Sequence, residues 1–184
     1  DQFLKSGSNQ RTDDYGGSLK NRARLLLEVV RAVAGAIGGG RTGIRLSPVT
    51  LSNDAYDADP QPLFDYVVKQ LAKLNLAYIH IIEGATGGAR DLPDRPFDYA
   101  ELKAAYRAAG GKGAWMVNNG YNQELAEQAV KDGSADLIAF GKPFIANPDL
   151  VARLRGNAPL NTPDQATFYG GGAKGYTDYP ALYK

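Results

Sequence analysis

The stretch AYIHII at residues 77–82 decides the fold of this chain of 184 residues. It is a nearly continuous apolar run between polar turns, which predicts a strand covered on both faces, as in a parallel sheet. Further short apolar runs lie at residues 42–46, 114–117 and 137–140. Segments with helical periodicity alternate with these runs, as is typical of parallel βα units. The sequence therefore predicts four parallel strands, each followed by a helix.

Helical segments are predicted by their apolar periodicity and by capping residues. Ser18, Asp98 and Asn122 are suited to cap helices that reach residues 36, 109 and about 132. Two further helices are expected over residues 63–73 and 147–154. The stretch from 155 to 184 has little periodicity, so we interpret residues 1–184 as a single-domain portion that ends in an extended tail.

Four βα units with a helix in front of them correspond to the carboxyl-terminal half of a (β/α)₈ TIM barrel, since a full barrel takes about 250 residues. Such a half is incomplete on its own. An open doubly wound α/β sheet is the competing architecture. No Gly-x-Gly-x-x-Gly motif follows the first strand, however, and the glycine- and amide-rich turns follow the last two strands instead.

Composition excludes several classes of function. Lys and Arg number 21 against 20 for Asp and Glu, so no general attraction to nucleic acid or to an anionic membrane is expected. The absence of cysteine excludes disulfides, thiolate metal sites and a cysteine nucleophile. No apolar run approaches the roughly 20 residues of a membrane helix. We expect a soluble, cytoplasmic protein without nucleic-acid or membrane partners.

Two turns that directly follow predicted strands carry the strongest chemical signal. They read VNNGY at residues 117–121 and AFGKP at residues 139–143. Glycine lets a backbone approach a ligand closely, N–H groups at a helix start attract anions, and Lys142 adds a positive charge. Either turn alone is explained equally well as an ordinary left-handed turn. Together they favour a phosphate site, which barrels place at this position.

Single polar residues inside the apolar strands are weaker signals. Arg45 alternates with apolar neighbours, so we expect it to be buried on one strand face, where it needs an acceptor. Its planar fork suits a carbonyl beside a ring nitrogen, but an ion pair with Glu83 is the slightly preferred interpretation from the residues alone. His80, the only histidine, is interpreted as a hydrogen-bonded core residue. No metal site is expected.

Longer motifs follow one another in a fixed order along the chain. They are SNQRTDDYGGS at residues 8–18 with NRAR at 21–24, GIRLSP at 43–48, FGKPFIANPDL at 140–150 and FYGGGAKGYTDYP at 168–180. In this order they resemble the signatures of the Old Yellow Enzymes, the FMN-dependent ene-reductases. The tail is most similar to that of the bacterial alkene, maleimide and nitrate-ester reductase branch. The resemblance covers essentially the whole chain.

The resemblance implies an FMN that is held in a (β/α)₈ barrel, reduced by NADPH or NADH, and reoxidised by hydride transfer to an activated alkene. Enones and maleimides are the implied substrates, with nitro compounds or nitrate esters as further candidates. Arg45 matches the arginine at the flavin N1/O2 edge. Tyr169 matches a tyrosine on the substrate side of the flavin and is the expected catalytic residue. The two phosphate turns are matched by Asn118, Asn119, Gly120, Gly141 and Lys142.

Two departures from the family pattern shape the expectations. Lys142 stands where many relatives carry arginine, which keeps the charge but loses the bidentate fork. The family's substrate-binding histidine pair, its early strands, its pyrimidine-edge glutamine and its proton-donor tyrosine all precede the position of Asp1. A half barrel exposes two strand edges and an apolar inner face. We therefore expect this chain to be inactive alone.

The expected partner is a complementary amino-terminal half-barrel, either as a second chain or as a missing segment, or else a second copy of the chain itself. The alternative function is a non-catalytic half-barrel fragment or scaffold that binds phosphate and self-associates. A phosphosugar barrel enzyme without flavin ranks last, because it would share the two turns but not residues 9–17 or the Tyr169 tail.

Overall fold

A computed structural model describes residues 1–182. Within these residues one sheet contains the strands β1 (Gly43–Leu46), β2 (Tyr78–Ile82), β3 (Ala114–Asn118) and β4 (Leu137–Ala139). They lie side by side in the order β1-β2-β3-β4, and β2 pairs in parallel with both β1 and β3. The four predicted strands are therefore present, and each differs from its predicted range by one residue at one end.

The helices are α1 (Leu19–Ile37), α2 (Pro60–Leu71), α3 (Tyr99–Ala108), α4 (Gln123–Lys131), α5 (Lys142–Ala146) and α6 (Leu150–Arg155). The three predicted caps are confirmed. The side chains of Ser18, Asp98 and Asn122 accept hydrogen bonds from backbone N–H groups in the first turns of α1, α3 and α4. Each cap satisfies a backbone donor that has no partner within its helix. Among residues 1–182, no helix is long and apolar enough to cross a membrane.

Helix boundaries differ from the predictions where proline lies close to a helix start. The second helix begins at Pro60, three residues before its predicted start at Leu63. Proline is favourable in a first helical turn, because its missing N–H group would have had no partner there. The short helix α5 was not predicted, and it begins at Lys142 directly after the second predicted phosphate turn. The last helix begins only after Asp149.

Alternate strand residues form the hydrophobic core between the sheet and its helices. Ile79, Ile81, Trp115 and Val117 are at most 2 % exposed. Tyr106 of α3 packs against Trp115 with the ring centres 5.6 Å apart. The same cluster includes buried residues of α1 and α2: Ala23, Leu27, Val30, Leu63, Phe64, Val67, Val68 and Leu71. Burial of this face of the strands against the helices is the main source of stability.

The opposite face of the sheet is open, which corrects one prediction. Residues 77–82 were expected to be covered on both faces, but Tyr78 is 36 % exposed and His80 is only half-buried. The reason is that helices cover one side of the sheet in the described part of the chain. The face was also expected to be apolar, yet it carries Arg45, His80 and Asn118 on neighbouring strands.

The chain divides into two compact units, Asp1–Ile138 and Ala139–Lys184. In the second unit, the buried guanidinium of Arg153 donates hydrogen bonds to the carbonyl oxygens of Pro159 and Pro180, at 2.6 and 2.8 Å. It also pairs with the carboxylate of Asp149. The segment after residue 155, predicted as an extended tail, is therefore anchored to α6, although it has little regular structure of its own.

Candidate functional site

The open face of the sheet brings together three of the polar residues that the sequence singled out. Arg45, His80 and Met116 are register partners across β1, β2 and β3. Asn118 lies two residues after Met116 on β3, and its Oδ1 atom is 3.1 Å from the Nε2 atom of His80. This hydrogen bond agrees with the prediction for His80, but the histidine lies on the open face and not in the core.

Arg45 is exposed, so the prediction that it is buried was wrong. The alternative, an ion pair with Glu83, was wrong as well, because the cation near Glu83 is Arg90, at 3.9 Å. No carboxylate of residues 1–182 forms an ion pair with Arg45. Burial lowers the pKa of His80, and the charge of Arg45 lowers it further, against the hydrogen bond to Asn118. The imidazole is thereby favoured in its neutral form.

The first predicted phosphate turn follows β3 and has a left-handed backbone. Asn119 and Gly120 have φ angles of 99° and 69°, a region that few residues other than glycine adopt readily. The Nδ2 atom of Asn119 donates hydrogen bonds to the carbonyl oxygens of Glu83 and Ala85, at 2.6 and 2.9 Å. Since the side chain of Asn118 is engaged by His80, the backbone of the turn is its part best suited to bind an anion.

The second predicted turn belongs to the other compact unit, as does Tyr169. Gly141 caps α5 with a φ angle of −99°, so the alternative interpretation of this turn as left-handed was wrong. Lys142 is the first residue of α5 and is exposed. Tyr169 is 94 % exposed. That these residues hold one cofactor together with Arg45 and the first turn stays a prediction.

Sequence reasoning missed a polar cluster beside the first turn. The hydroxyl of Tyr121 donates a 2.8 Å hydrogen bond to Oε2 of Glu83, and the guanidinium of Arg90 lies 4.9 Å from the centre of the Tyr121 ring. Burial raises the pKa of Glu83, whereas Tyr121 and Arg90 oppose that rise. The available signal was that Glu83 and Tyr121 each come shortly after a strand end, where parallel sheets place ligand-binding residues.

A buried lysine was also missed. Lys5 is fully buried, and its Nζ atom donates a 3.0 Å hydrogen bond to the carbonyl oxygen of Thr50 in the loop after β1. Burial lowers its pKa to about 8. Lysine is rarely buried, and nothing in its local sequence indicated this position. Within residues 1–182, no group of three or more histidine or acidic side chains could hold a metal ion.

Comparison with known proteins identifies the family. The model of the NADH:flavin oxidoreductase / NADH oxidase family matches residues 1–161. The chain belongs to this family. The family consists of flavin oxidoreductases that use a nicotinamide cofactor, which is the enzyme class expected from the sequence.

Individual relatives confirm the resemblance of this chain to Old Yellow Enzymes. A Leishmania infantum protein named "Probable flavin mononucleotide-dependent alkene reductase" is 44 % identical over 182 residues, which are 99 % of this chain and 47 % of the relative. Morphinone reductase in complex with tetrahydroNAD is 44 % identical with a TM-score of 0.85, over 98 % of this chain and 47 % of that one. The Zymomonas mobilis old yellow enzyme homologue is 38 % identical with a TM-score of 0.89, over 98 % and 50 %.

The chain thus spans about half the length of the relatives that it matches. Its four parallel strands and their helices correspond to part of the TIM barrel of these enzymes, which confirms the predicted fold class. The competing doubly wound sheet is excluded.

Proposed function

We propose that this chain is the FMN-binding part of an NAD(P)H-dependent ene-reductase that reduces activated C=C bonds, such as those of enones and maleimides. The observation that carries the proposal is the exposed guanidinium of Arg45, which lies on the open face of the sheet without an acidic partner among residues 1–182. The chain would act in the cytoplasm, a compartment with which its lack of cysteine is compatible although it does not determine it.

The residues present fit both the ring and the phosphate of FMN. Arg45 offers donors to the electron-rich pyrimidine edge, and its charge would stabilise negative charge that develops there on reduction. Neutral His80 beside it adds no competing positive charge. The backbone of Asn119 and Gly120 would hold the phosphate together with Lys142. When bound, FMN supplies hydride transfer between the nicotinamide and the alkene.

Tyr169 would line the substrate side of the flavin in this arrangement. Its hydroxyl offers a hydrogen-bond donor, and its ring offers an apolar surface against which a flat substrate can lie. The side chain is 94 % exposed in the second unit, and its ring lies edge-on to that of the neighbouring Phe168, with the ring centres 6.5 Å apart. An exposed tyrosine in a segment that is anchored at α6 is available for contact with a ligand.

The chain would function together with the remaining strands of a barrel. A cavity of 690 Å³ lies along β1, and its lining combines apolar side chains such as Leu25, Val29 and Ile44 with polar ones such as Arg45 and Ser47. Val29 is 52 % exposed although it lies on the helix that flanks this cavity. The exposed apolar side chains of this groove, beside an edge strand, support the docking of a further βα unit. Self-association through the same edge is the alternative.

The test uses a complemented barrel, which is this chain co-expressed with the amino-terminal half of the Zymomonas mobilis relative. The complex is expected to turn yellow with FMN and to oxidise NADPH or NADH when an enone is added. Lys142→Ala is expected to weaken FMN binding by about ten- to a hundredfold and to change riboflavin binding much less, since one charged phosphate contact contributes about 1.5–3 kcal/mol. Titration of flavin fluorescence measures both affinities.

Two results would contradict this function. A complemented barrel that folds but stays colourless with FMN would exclude flavin binding. Equal affinities for FMN and riboflavin, or an equal loss of both in the Lys142 variant, would show that the phosphate is not held as proposed. Measurement of the mass in solution, for the chain alone and with the added half, distinguishes complementation from self-association.

A further inference from the structure

We propose that Asn119 is a positioning residue, whose side chain fixes the phosphate turn (residues 118–121) against the loop after β2. Glu83, Tyr121 and Arg90 complete this contact. The inference rests on the proposed function, because it explains how the turn is prepared for the phosphate of FMN. It adds a role for the side chain of Asn119 to the expectation that this residue belongs to the first phosphate turn.

The amide of Asn119 joins two segments that are distant in the sequence. Both of its Nδ2 hydrogen bonds, at 2.6 and 2.9 Å, end on carbonyl oxygens of residues 83 and 85, at the start of the loop after β2. Both amide protons are therefore used within the protein. The φ angle of 99° costs energy for any residue with a side chain, so these bonds stabilise a backbone that is otherwise unfavourable.

Glu83 and Tyr121 connect the same two segments a second time. Tyr121, directly after Gly120, donates its hydroxyl to the Glu83 carboxylate at 2.8 Å. The backbone N–H of Glu83 also donates to the carbonyl oxygen of Asn118, at 3.2 Å. Hydrogen bonds from residues on both sides of Gly120 therefore converge on Glu83, and the conformation of the turn depends on the position of that residue.

Arg90 offsets an electrostatic problem at this position. A carboxylate beside the turn would repel a phosphate, and the guanidinium of Arg90 lies 3.9 Å from Glu83 and 4.9 Å from the Tyr121 ring centre. The Cβ atom of Arg90 is also 3.9 Å from the place where a Cβ on Gly120 would lie. Arg90 thus covers the turn and balances the charge of Glu83.

The loop is itself anchored, so it can serve as a support. The backbone N–H of Gly84 donates a 2.7 Å hydrogen bond to the hydroxyl of Tyr99, in the first turn of α3. The contacts therefore run from α3 through the loop to the phosphate turn. A turn held in advance loses less conformational entropy when an anion binds, which increases affinity without a new contact.

Asn119→Gly tests the inference most directly. Glycine accepts the positive φ angle, so the substitution removes the two side-chain hydrogen bonds without adding backbone strain. In the complemented barrel, FMN affinity is expected to fall by about tenfold, which corresponds to about 1.4 kcal/mol, and riboflavin affinity by less than about threefold, since a turn that is no longer held in advance must be ordered when the phosphate binds. Tyr121→Phe removes one hydrogen bond and is expected to give a smaller loss in the same direction.

Asn75→Gly is the matched control. Asn75 also has a positive φ angle, 50°, but it is exposed and precedes β2, whereas the phosphate turn follows β3. This variant should leave both affinities unchanged. Unchanged FMN affinity in Asn119→Gly, or an equal loss for both flavins, would overturn the inference. If the unmodified barrel bound FMN no better than riboflavin, the proposed function would fail first, which is a distinguishable result.

Discussion

The two faces of strands β2 and β3 differ in burial, because one face is packed under the helices and the other is accessible. Ile79 and Ile81 of β2 are completely buried under the helices, whereas Tyr78 and His80, which alternate with them, are partly exposed. The same holds on β3, where Trp115 and Val117 are buried and Met116 and Asn118 are only half-buried. One strand therefore supplies stability through one set of side chains and a candidate binding surface through the other.

The comparison teaches that alternation can be hidden in an apolar sequence. A strand in which only one residue in five is polar still separates a packed face from an accessible face, because successive side chains point in opposite directions. The covered face should respond to substitution through stability, and the open face through ligand binding and ionisation. Three experiments test this division, beginning with the one for which we expect the largest effect.

Ile79→Ala should destabilise the protein by about 2–5 kcal/mol, because it leaves a cavity at a fully buried position. His80→Ala, one residue further on the open face, should cost about 1 kcal/mol, since it removes a single half-buried hydrogen bond. Urea denaturation followed by circular dichroism measures both free energies. Equal losses for the two variants would remove the distinction between the faces.

Substitution of glycine by alanine at the start of a strand tests how each face accommodates an added methyl group. A Cβ on Gly113 would lie 2.2 Å from the backbone oxygen of Leu76, so Gly113→Ala should cost about 1–3 kcal/mol as the backbone shifts. A Cβ on Gly43 would meet the ring of Tyr78 at 2.3 Å, but that ring belongs to the open face and can turn away. Gly43→Ala should therefore cost less than about 1 kcal/mol. A reversed order in thermal unfolding would contradict this explanation.

The smallest expected effect concerns ionisation on the open face. Arg45→Met should change the stability by less than about 0.5 kcal/mol, because the residue is exposed. It should raise the pKa of His80, which burial and, to a smaller extent, the charge of Arg45 hold below the ordinary value of 6.5. The lowered pKa means that the unfolded chain binds a proton more readily. The contribution of His80 to stability is therefore present above pH 6.5 and is lost as the pH falls through the folded pKa.

His80 is the only histidine, so a single imidazole proton signal in NMR reports its titration directly. The midpoint in the unmodified chain should lie below 6.5 and should move upward in the Arg45 variant. Lys20→Met serves as the control, because Lys20 is an exposed cation at the start of α1. An unchanged midpoint in Arg45→Met would mean that the two side chains do not interact across β1 and β2.

Local patterns in the sequence were sufficient for the elements of the fold. The caps Ser18, Asp98 and Asn122 and the four apolar runs act over a few residues, so their effects can be read without knowledge of the tertiary structure. The long motifs then indicated the family, and the comparisons confirmed it. The start of a helix was predicted least well where proline lies in its first turn. The helix α2, for example, begins at Pro60, before its apolar periodicity.

The residues around the candidate site needed the tertiary structure. The position of Arg45 on its strand is fixed by alternation, but its exposure depends on what covers that face. Glu83 and Asn119 are 36 positions apart in the sequence, and no local pattern indicates that the side-chain amide of Asn119 donates a hydrogen bond to the carbonyl oxygen of Glu83. Periodicity and capping are properties of neighbouring residues and so belong to the sequence alone. Burial and long-range hydrogen bonds are decided only when the strands pair and the helices pack.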